Sequence, residues 1–200
     1  MDKHETRAFF AARAATWDDT FPDDGPAFAA AIARLELRPG LVALDAGCGT
    51  GRAMPLLREH TDRVVGVDLT PEMAAVASER GPALIGDAFR LPFADATIGG
   101  ILAAGLIGHL GDAEGTLLEF ARVARPGARL ALFHPVGRAV LAARRGRELS
   151  PDDIRSEHRI TPLLRATGWE PVHFHDDDDH YLALARRDGQ RAAVPGWAEP

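Results

Sequence analysis

Short apolar runs alternate with amphipathic segments through the middle of the chain. A strand that is apolar at nearly every position is typical of a parallel sheet covered by helices on both faces. Runs of this kind predict strands at 41–44, 64–67, 83–85, 98–103 and 129–133. Helical spacing between them predicts helices at 55–60, 71–80 and 112–124. The alternation predicts a Rossmann-like, doubly wound α/β fold.

Both ends of the chain depart from this alternation. Helical spacing at 4–15 and 28–37 predicts an N-terminal helical lid, 1–37, before a core at 41–187. Further helices are predicted to start at 150–153 and at Thr161-Pro162, and 125–127 is predicted to be a turn. Two extended runs, 170–175 and 180–187, predict an antiparallel hairpin.

The expected architecture is therefore a mostly parallel seven-stranded sheet that ends in an antiparallel hairpin, with helices on both faces. We expect a single domain at 1–187 and a loose tail at 188–200. Within the lid, Phe9, Phe10, Trp17 and Phe21 are predicted either to cover a binding site or to fasten the first helices to the sheet.

Composition and charge limit the kinds of molecule that the protein is expected to bind and the environment in which it is expected to work. The net charge of −6 argues against nucleic acid, which proteins bind through clustered Lys and Arg. The one dense basic patch, Arg144-Arg145 with Arg147, is interpreted as a solvated helix end. No apolar run predicts a membrane helix or a signal peptide, and the single cysteine, Cys48, excludes an internal disulfide. We expect a cytoplasmic monomer or homodimer.

A glycine-rich loop, 45–51, follows the first predicted strand and reads Asp-Ala-Gly-Cys-Gly-Thr-Gly. Glycines let the backbone turn sharply and approach a ligand, and free amides at a helix start bind polar groups. In such sheets ligands bind beyond the carboxyl ends of the strands. A nicotinamide-dinucleotide fingerprint requires Gly or Ala where Arg52 stands, which disfavours an oxidoreductase.

Four segments in register resemble class I S-adenosylmethionine-dependent methyltransferases. The stretch 42–57 is similar to the family's D-x-G-x-G-x-G motif, and 64–76, 86–93 and 122–127 resemble later motifs. The resemblance covers about 9–187 and is nearest to the small-molecule, ubiquinone-biosynthesis-like (methyltransferase type 11) branch. It implies methyl transfer from S-adenosylmethionine to a small molecule. The alternative is a cofactor-binding protein of this fold that transfers no methyl group or uses the sulfonium for other chemistry.

The resemblance also implies roles for individual residues. Asp68 accepts hydrogen bonds from the ribose hydroxyls, as an acid does at this spacing in nucleotide folds. Asp87 accepts from the adenine amino group. The amino-acid end of the cofactor is assigned to the loop residues Asp45, Ala46, Gly47, Cys48, Gly49, Gly51 and Arg52. The other contacts are assigned to Leu69 and Met73 at the adenine, Ala88 beside Asp87, and Ala104 and Gly105 at the methionine part.

Two histidines, His109 and His134, follow the fourth and fifth predicted strands. Histidine titrates near neutral pH and acts as a base when the acceptor is a hydroxyl, so both are candidate catalytic residues; the alternative is two loop histidines without a catalytic role. The stretch 173–180 contains three histidines and four acids. We interpret it as a solvated hairpin turn and expect no metal site.

Overall fold

The structure, a computed structural model, describes residues 3–20 and 24–189. Its strands are β1 (Val42–Ala46), β2 (Arg63–Asp68), β3 (Ala83–Ile85), β4 (Ile98–Ala104), β5 (Ala124–His134), β6 (Trp169–Asp176) and β7 (Tyr181–Arg187). Its α-helices are α1 (Lys3–Ala11), α2 (Gly25–Ala33), α3 (Met54–Arg58), α4 (Pro71–Ser78), α5 (Ala113–Val123), α6 (Arg138–Arg144) and α7 (Glu157–Ala166). Short 3₁₀ turns lie at Ala14–Thr16, Asp18–Thr20 and Ile107–His109. Phe21 and most of the predicted tail lie outside the described residues.

The strands form one sheet in the order β3-β2-β1-β4-β5-β7-β6. The pairs from β3 to β5 are parallel, whereas β7 pairs antiparallel with both β5 and β6. The predicted fold class is thereby confirmed, including the closing hairpin. The strand order reverses between β1 and β4, and at such a point the loops beyond the carboxyl ends separate and leave a crevice.

Helices pack on both faces of the sheet, as doubly wound folds require. On one face Leu117 and Phe120 of α5 and Ile160 of α7 join the inward side chains of β4 and β5. On the other face Ile32 of α2 and Met54 of α3 form a second core. Within the described part of the chain, no helix has the length and apolar character needed to cross a membrane.

The predicted helix start at 150–153 is wrong. This segment consists of turns, because the carboxylate of Asp153 binds the backbone amide and guanidinium of Arg155 and does not cap a helix. The helix begins later, at Glu157, and includes the predicted second start, so that Pro162 lies inside α7. One continuous helix thus replaces two predicted ones.

Three other boundaries differ from the prediction. The predicted turn at 125–127 is a bulge inside β5, since the pairing with β4 moves from Ala124 to Arg129 in one step. The second helix lies at Gly25–Ala33, and Glu36, with φ of 49°, prevents a helical continuation to Leu37. No bounds were predicted for α6, of which only the end at Arg144-Arg145 was interpreted as helical, and none of its residues is buried.

Candidate functional site

A cavity of about 370 Å³ follows the edge of the sheet where β1 to β5 end. Its wall includes every predicted site residue except Ala46 and Gly51. Ala46 is fully buried within β1, and an added Cβ at Gly51 would lie 3.0 Å from the Ala77 Cβ and the Met54 Sδ. The structure therefore places these two residues behind the cavity wall and gathers the others around one space.

The glycine loop is attached to the neighbouring strand through its backbone. The amides of Gly47 and Cys48 both donate to the carbonyl of Val67, at 2.8 and 3.1 Å. Gly49 has φ of +55°, and nothing lies within 4 Å of a Cβ built there. Because Gly49 also lines the cavity, a side chain at this position would occupy space that is open to a ligand.

Asp68 connects this loop to the start of α4. One carboxylate oxygen accepts from the amide of Gly49 and the other from the amide of Thr70, both at 2.8 Å. Thr70 is the N-cap residue of α4, and its side chain makes no capping hydrogen bond. Burial raises the pKa of Asp68, and the two amide bonds oppose that rise. Each carboxylate oxygen retains accepting capacity for a ligand in the cavity.

Asp45 is the most unusual group in the wall. It is 2% exposed, and within the described residues its Oδ2 atom has no hydrogen-bond partner. Burial, together with the negative charge of Asp68, raises the pKa of Asp45 to about 7. A buried carboxylate without a partner is costly, so the site is suited to a cationic donor that would supply one.

Cys48 has no features of a nucleophile. Its side chain is buried, and burial raises the pKa of the thiol, with further contributions from the charges of Asp45 and Asp68. A thiol reacts as its thiolate, which this environment disfavours. Cys48 therefore serves as wall and packing, with no chemical step of its own.

The N-terminal segment covers the end of the cavity near β3. Lys3 of α1 donates to Asp87 at 2.6 Å, and its ammonium lies 5.3 Å from the centre of the Phe89 ring. Burial alone would raise the pKa of Asp87, but the hydrogen bond from Lys3 brings it below the usual value. Phe10 and Trp17 line the cavity with their rings 5.3 Å apart, whereas Phe9 is exposed and outside the wall.

The two candidate histidines lie at the opposite end, beyond β4 and β5. His109 contacts Phe10 edge to face at 5.3 Å, and His134 Nδ1 lies 2.9 Å from the carbonyl of Val136. Burial, followed by the positive charges of Arg145 and Arg155, lowers the pKa of His109. Burial also lowers the pKa of His134 to about 4, against the opposing bond to Val136. Both rings are therefore neutral at pH 7.

The histidine-rich hairpin brings three groups together away from the cavity. His175 Nε2 lies 2.9 Å from Asp177 Oδ2, and one ligand atom from each of His175, Asp177 and His180 lies within 4.8 Å of the others. The rings of His175 and His180 are stacked, with centroids 4.3 Å apart and planes at 23°. An imidazole nitrogen binds a metal in its ring plane, and nearly parallel rings do not share such a point. The absence of a metal stays a prediction.

Sequence reasoning missed the acid Asp112 and two positively charged residues of the wall. Lys3 and Arg145 both line the cavity, although Arg145 was interpreted as part of a solvated helix end. Arg145 is exposed at the C-terminal end of α6, in agreement with that interpretation, and it also borders the cavity that includes the histidines. Neither residue belongs to a periodic pattern or a motif, so no signal in the sequence identified them.

Comparison with known proteins shows which family this chain resembles. Residues 44–132 match the model of a family described as "Methyltransferase domain". An O-methyltransferase of Aspergillus nomiae, rstn1, is 30% identical over 161 residues, 73% of this chain and 72% of the relative. The O-methyltransferase resE of Aspergillus sclerotiorum is 30% identical over 77% of this chain and 64% of its own length. Across four of the curated relatives, the chain spans 32% to 64% of the relative's length.

A solved structure supports the fold alone. The crystal structure of an S-adenosylmethionine-dependent methyltransferase from Aquifex aeolicus matches with a TM-score of 0.69 at 21% identity. The match covers 88% of this chain and 98% of that one.

Proposed function

Because the chain belongs to the class I S-adenosylmethionine-dependent methyltransferases, we propose that it transfers the methyl group of this cofactor to a small-molecule acceptor. Bound S-adenosylmethionine supplies a methyl group activated by a positively charged sulfur. The relatives named above are O-methyltransferases, which favours an oxygen as the methylated atom.

The observation that carries the proposal is the unpartnered carboxylate of Asp45. The cofactor's amino-acid end has an ammonium group, which is the cationic donor that a buried Oδ2 without a partner requires. The open space at Gly49 leaves room for the adjoining carboxylate. The residues present therefore fit the cofactor's amino-acid end.

The remaining assignments follow the strand ends in order. Asp68 is proposed to accept from the ribose hydroxyls with the capacity left after its two amide bonds, while Leu69 and the buried Met73 hold the adenine. Asp87 and Ala88 are proposed to receive the adenine amino group, and there Lys3 has to share the carboxylate of Asp87 or leave it. Ala104 and Gly105, after β4, are proposed to border the methionine part.

The acceptor is proposed to bind beside His109 and His134. Methyl transfer requires in-line approach, and orientation with exclusion of water supplies roughly 7–11 kcal/mol of such a barrier. Phe10 and Trp17 are positioned to exclude water. The carbonyl and the amide of Val136 lie 2.9 and 3.1 Å from His134 Nδ1, so its Nε2 accepts a hydrogen bond from the methyl acceptor in one tautomer and donates one in the other.

Calorimetry with purified protein tests the cofactor. We expect S-adenosylmethionine and its demethylated product, S-adenosylhomocysteine, to bind and to raise the melting temperature, because a ligand of the native state stabilises it by mass action. Heat from a nicotinamide dinucleotide, with none from either sulfur compound, would contradict the proposal. Incubation of cell extracts with methyl-labelled cofactor then separates a methyltransferase from a cofactor-binding protein that transfers no methyl group.

We further propose that the protein is a cytoplasmic monomer or homodimer. Residues 1–187 are proposed to form a single domain, in which the N-terminal segment acts as a lid. Support for the lid comes from Lys3, Thr6, Phe10 and Trp17, which all line the cavity from the N-terminal segment.

A further inference from the structure

Positive charge is unevenly balanced around the cavity. Within the described residues, the Lys and Arg side chains of the wall are Lys3, Arg52 and Arg145. Lys3 forms an ion pair with Asp87, and Arg52 forms one with Asp24. No described carboxylate lies within ion-pair distance of Arg145. The one cation of the described wall without an acidic partner is therefore Arg145.

The fold holds Arg145 at the acceptor end of the cavity. It follows directly after α6, and its amide donates to the carbonyl of Ala142 at 3.0 Å. The first residue of the helix, Arg138, binds the carboxylate of Asp176 through its amide and its Nε atom, at 2.9 and 2.8 Å. These two hydrogen bonds to β6 anchor the helix that carries Arg145. Arg145, His109 and His134 line the same cavity, and the charge of Arg145 contributes, after burial, to the lowered pKa of both histidines.

Neighbouring groups increase the demand for an anion. Arg147 and Arg155 place like charges near Arg145. The guanidinium of Arg155 is already satisfied by Asp153, at 2.7 and 2.9 Å. Asp112 is the nearby acid of the wall, but one of its oxygens caps α5 by accepting from the amide of Gly115 at 2.8 Å. The histidines, which are neutral, contribute no negative charge.

We propose that Arg145 binds the carboxylate of the acceptor, so that the small molecule methylated by this protein is an organic acid. The inference rests on the proposed function and adds the substrate class. A guanidinium presents a planar pair of donors that matches a carboxylate. One free guanidinium balances one negative charge, which favours a carboxylate over a phosphate dianion.

Calorimetry on the protein saturated with S-adenosylhomocysteine tests this assignment. The probes are benzoate, 4-hydroxybenzoate, indole-3-acetate and octanoate, each compared with its own primary amide at low ionic strength. We expect at least one acid to bind about tenfold more tightly than its amide, as a charge-assisted hydrogen bond implies. The preference decreases with added salt, because Arg145 is exposed and its charge is screened.

Two variants identify the residue responsible. Arg145→Gln removes the preference for the acid, whereas Arg144→Gln, one residue away and outside the cavity wall, retains it. Both variants keep the affinity for S-adenosylhomocysteine. Equal binding of acids and amides, or a preference that survives in Arg145→Gln, overturns the inference while the cofactor site stands. No heat with S-adenosylhomocysteine overturns the proposed function and this inference with it.

Discussion

Replacing Asp45 with Asn should stabilise the free protein and weaken its cofactor binding. The pKa of Asp45 is raised from 3.8 to about 7 by burial and by the charge of Asp68. Between these values the folded state binds more protons than the unfolded state, so the free energy of unfolding falls as pH rises from about 4 to about 7. Three pKa units at 1.36 kcal/mol each make the loss about 4 kcal/mol above pH 7.

Asparagine has the same shape without the charge, so the variant avoids this loss. At pH 8 we expect its melting temperature to exceed that of the wild type by roughly 8–16 °C, since about 1 kcal/mol corresponds to roughly 2–4 °C in a chain of this size. At about pH 3, below both pKa values, the two proteins should melt together, because the carboxyl is then protonated in the folded and the unfolded state alike. Differential scanning calorimetry at both pH values measures the difference.

Binding should change in the opposite direction. The side-chain amide that Asp45→Asn introduces pairs poorly with an ammonium group, so the dissociation constant for S-adenosylhomocysteine at pH 8 should rise about 10- to 100-fold, the loss of one charge-assisted hydrogen bond. Asp62→Asn, at an exposed aspartate, is the matched control and should alter neither property. A less stable Asp45→Asn protein at pH 8, or one with unchanged affinity, would refute the assignment of Asp45 to the ammonium.

Three further predictions test the rest of the site. Asp68→Ala should reduce cofactor affinity by roughly 2–4 kcal/mol in a protein that still folds, so an unchanged dissociation constant in calorimetry would rule out the ribose contact. Gly49→Ala should abolish cofactor binding. The control Gly40→Ala, also at positive φ with open space around its Cβ, should only lower the melting temperature through backbone strain. Equal cofactor affinities in the two variants would disprove this prediction. Replacing Asp177 and Asp178 with Asn-Gly should preserve stability and cofactor affinity, and metal lost together with activity in that variant would establish a metal site.

The parallel part of the fold was predictable because burial leaves a direct trace in the sequence. In β4, every residue from Ile98 to Ala103 is buried, and only a strand covered on both faces produces an apolar run of that length. The cofactor site follows from the same rule, since residues after successive parallel strands meet at one edge. The resemblance to the methyltransferases assigned roles to Asp45, Asp68 and Asp87, which lie near the carboxyl ends of β1 and β2 and just after β3.

Sequence signals for helix starts failed where the side chain hydrogen-bonds to another partner instead of capping a helix. Asp153 has the sequence context of a helix start, but its carboxylate binds Arg155 and leaves the chain in turns. Thr70 occupies the N-cap position of α4 but makes no capping bond, and its side chain is hydrogen-bonded with the carboxylate of Asp68 instead. Choices of this kind depend on which partner lies nearest in three dimensions, and the spacing of residues along the chain does not determine it.

For the candidate bases His109 and His134, the sequence predicted the positions but not how basic the rings are. Their positions after β4 and β5 identified His109 and His134, but burial and the charges of Arg145 and Arg155 keep both rings weakly basic. A base with a pKa of about 4 has little driving force to take a proton from a hydroxyl whose pKa is near 10. The positive charge that weakens these bases also favours an acceptor that is already ionised. In the proposed reaction, an ionised oxygen of the acceptor attacks the methyl carbon as the bond to sulfur breaks, so neither histidine has to remove a proton.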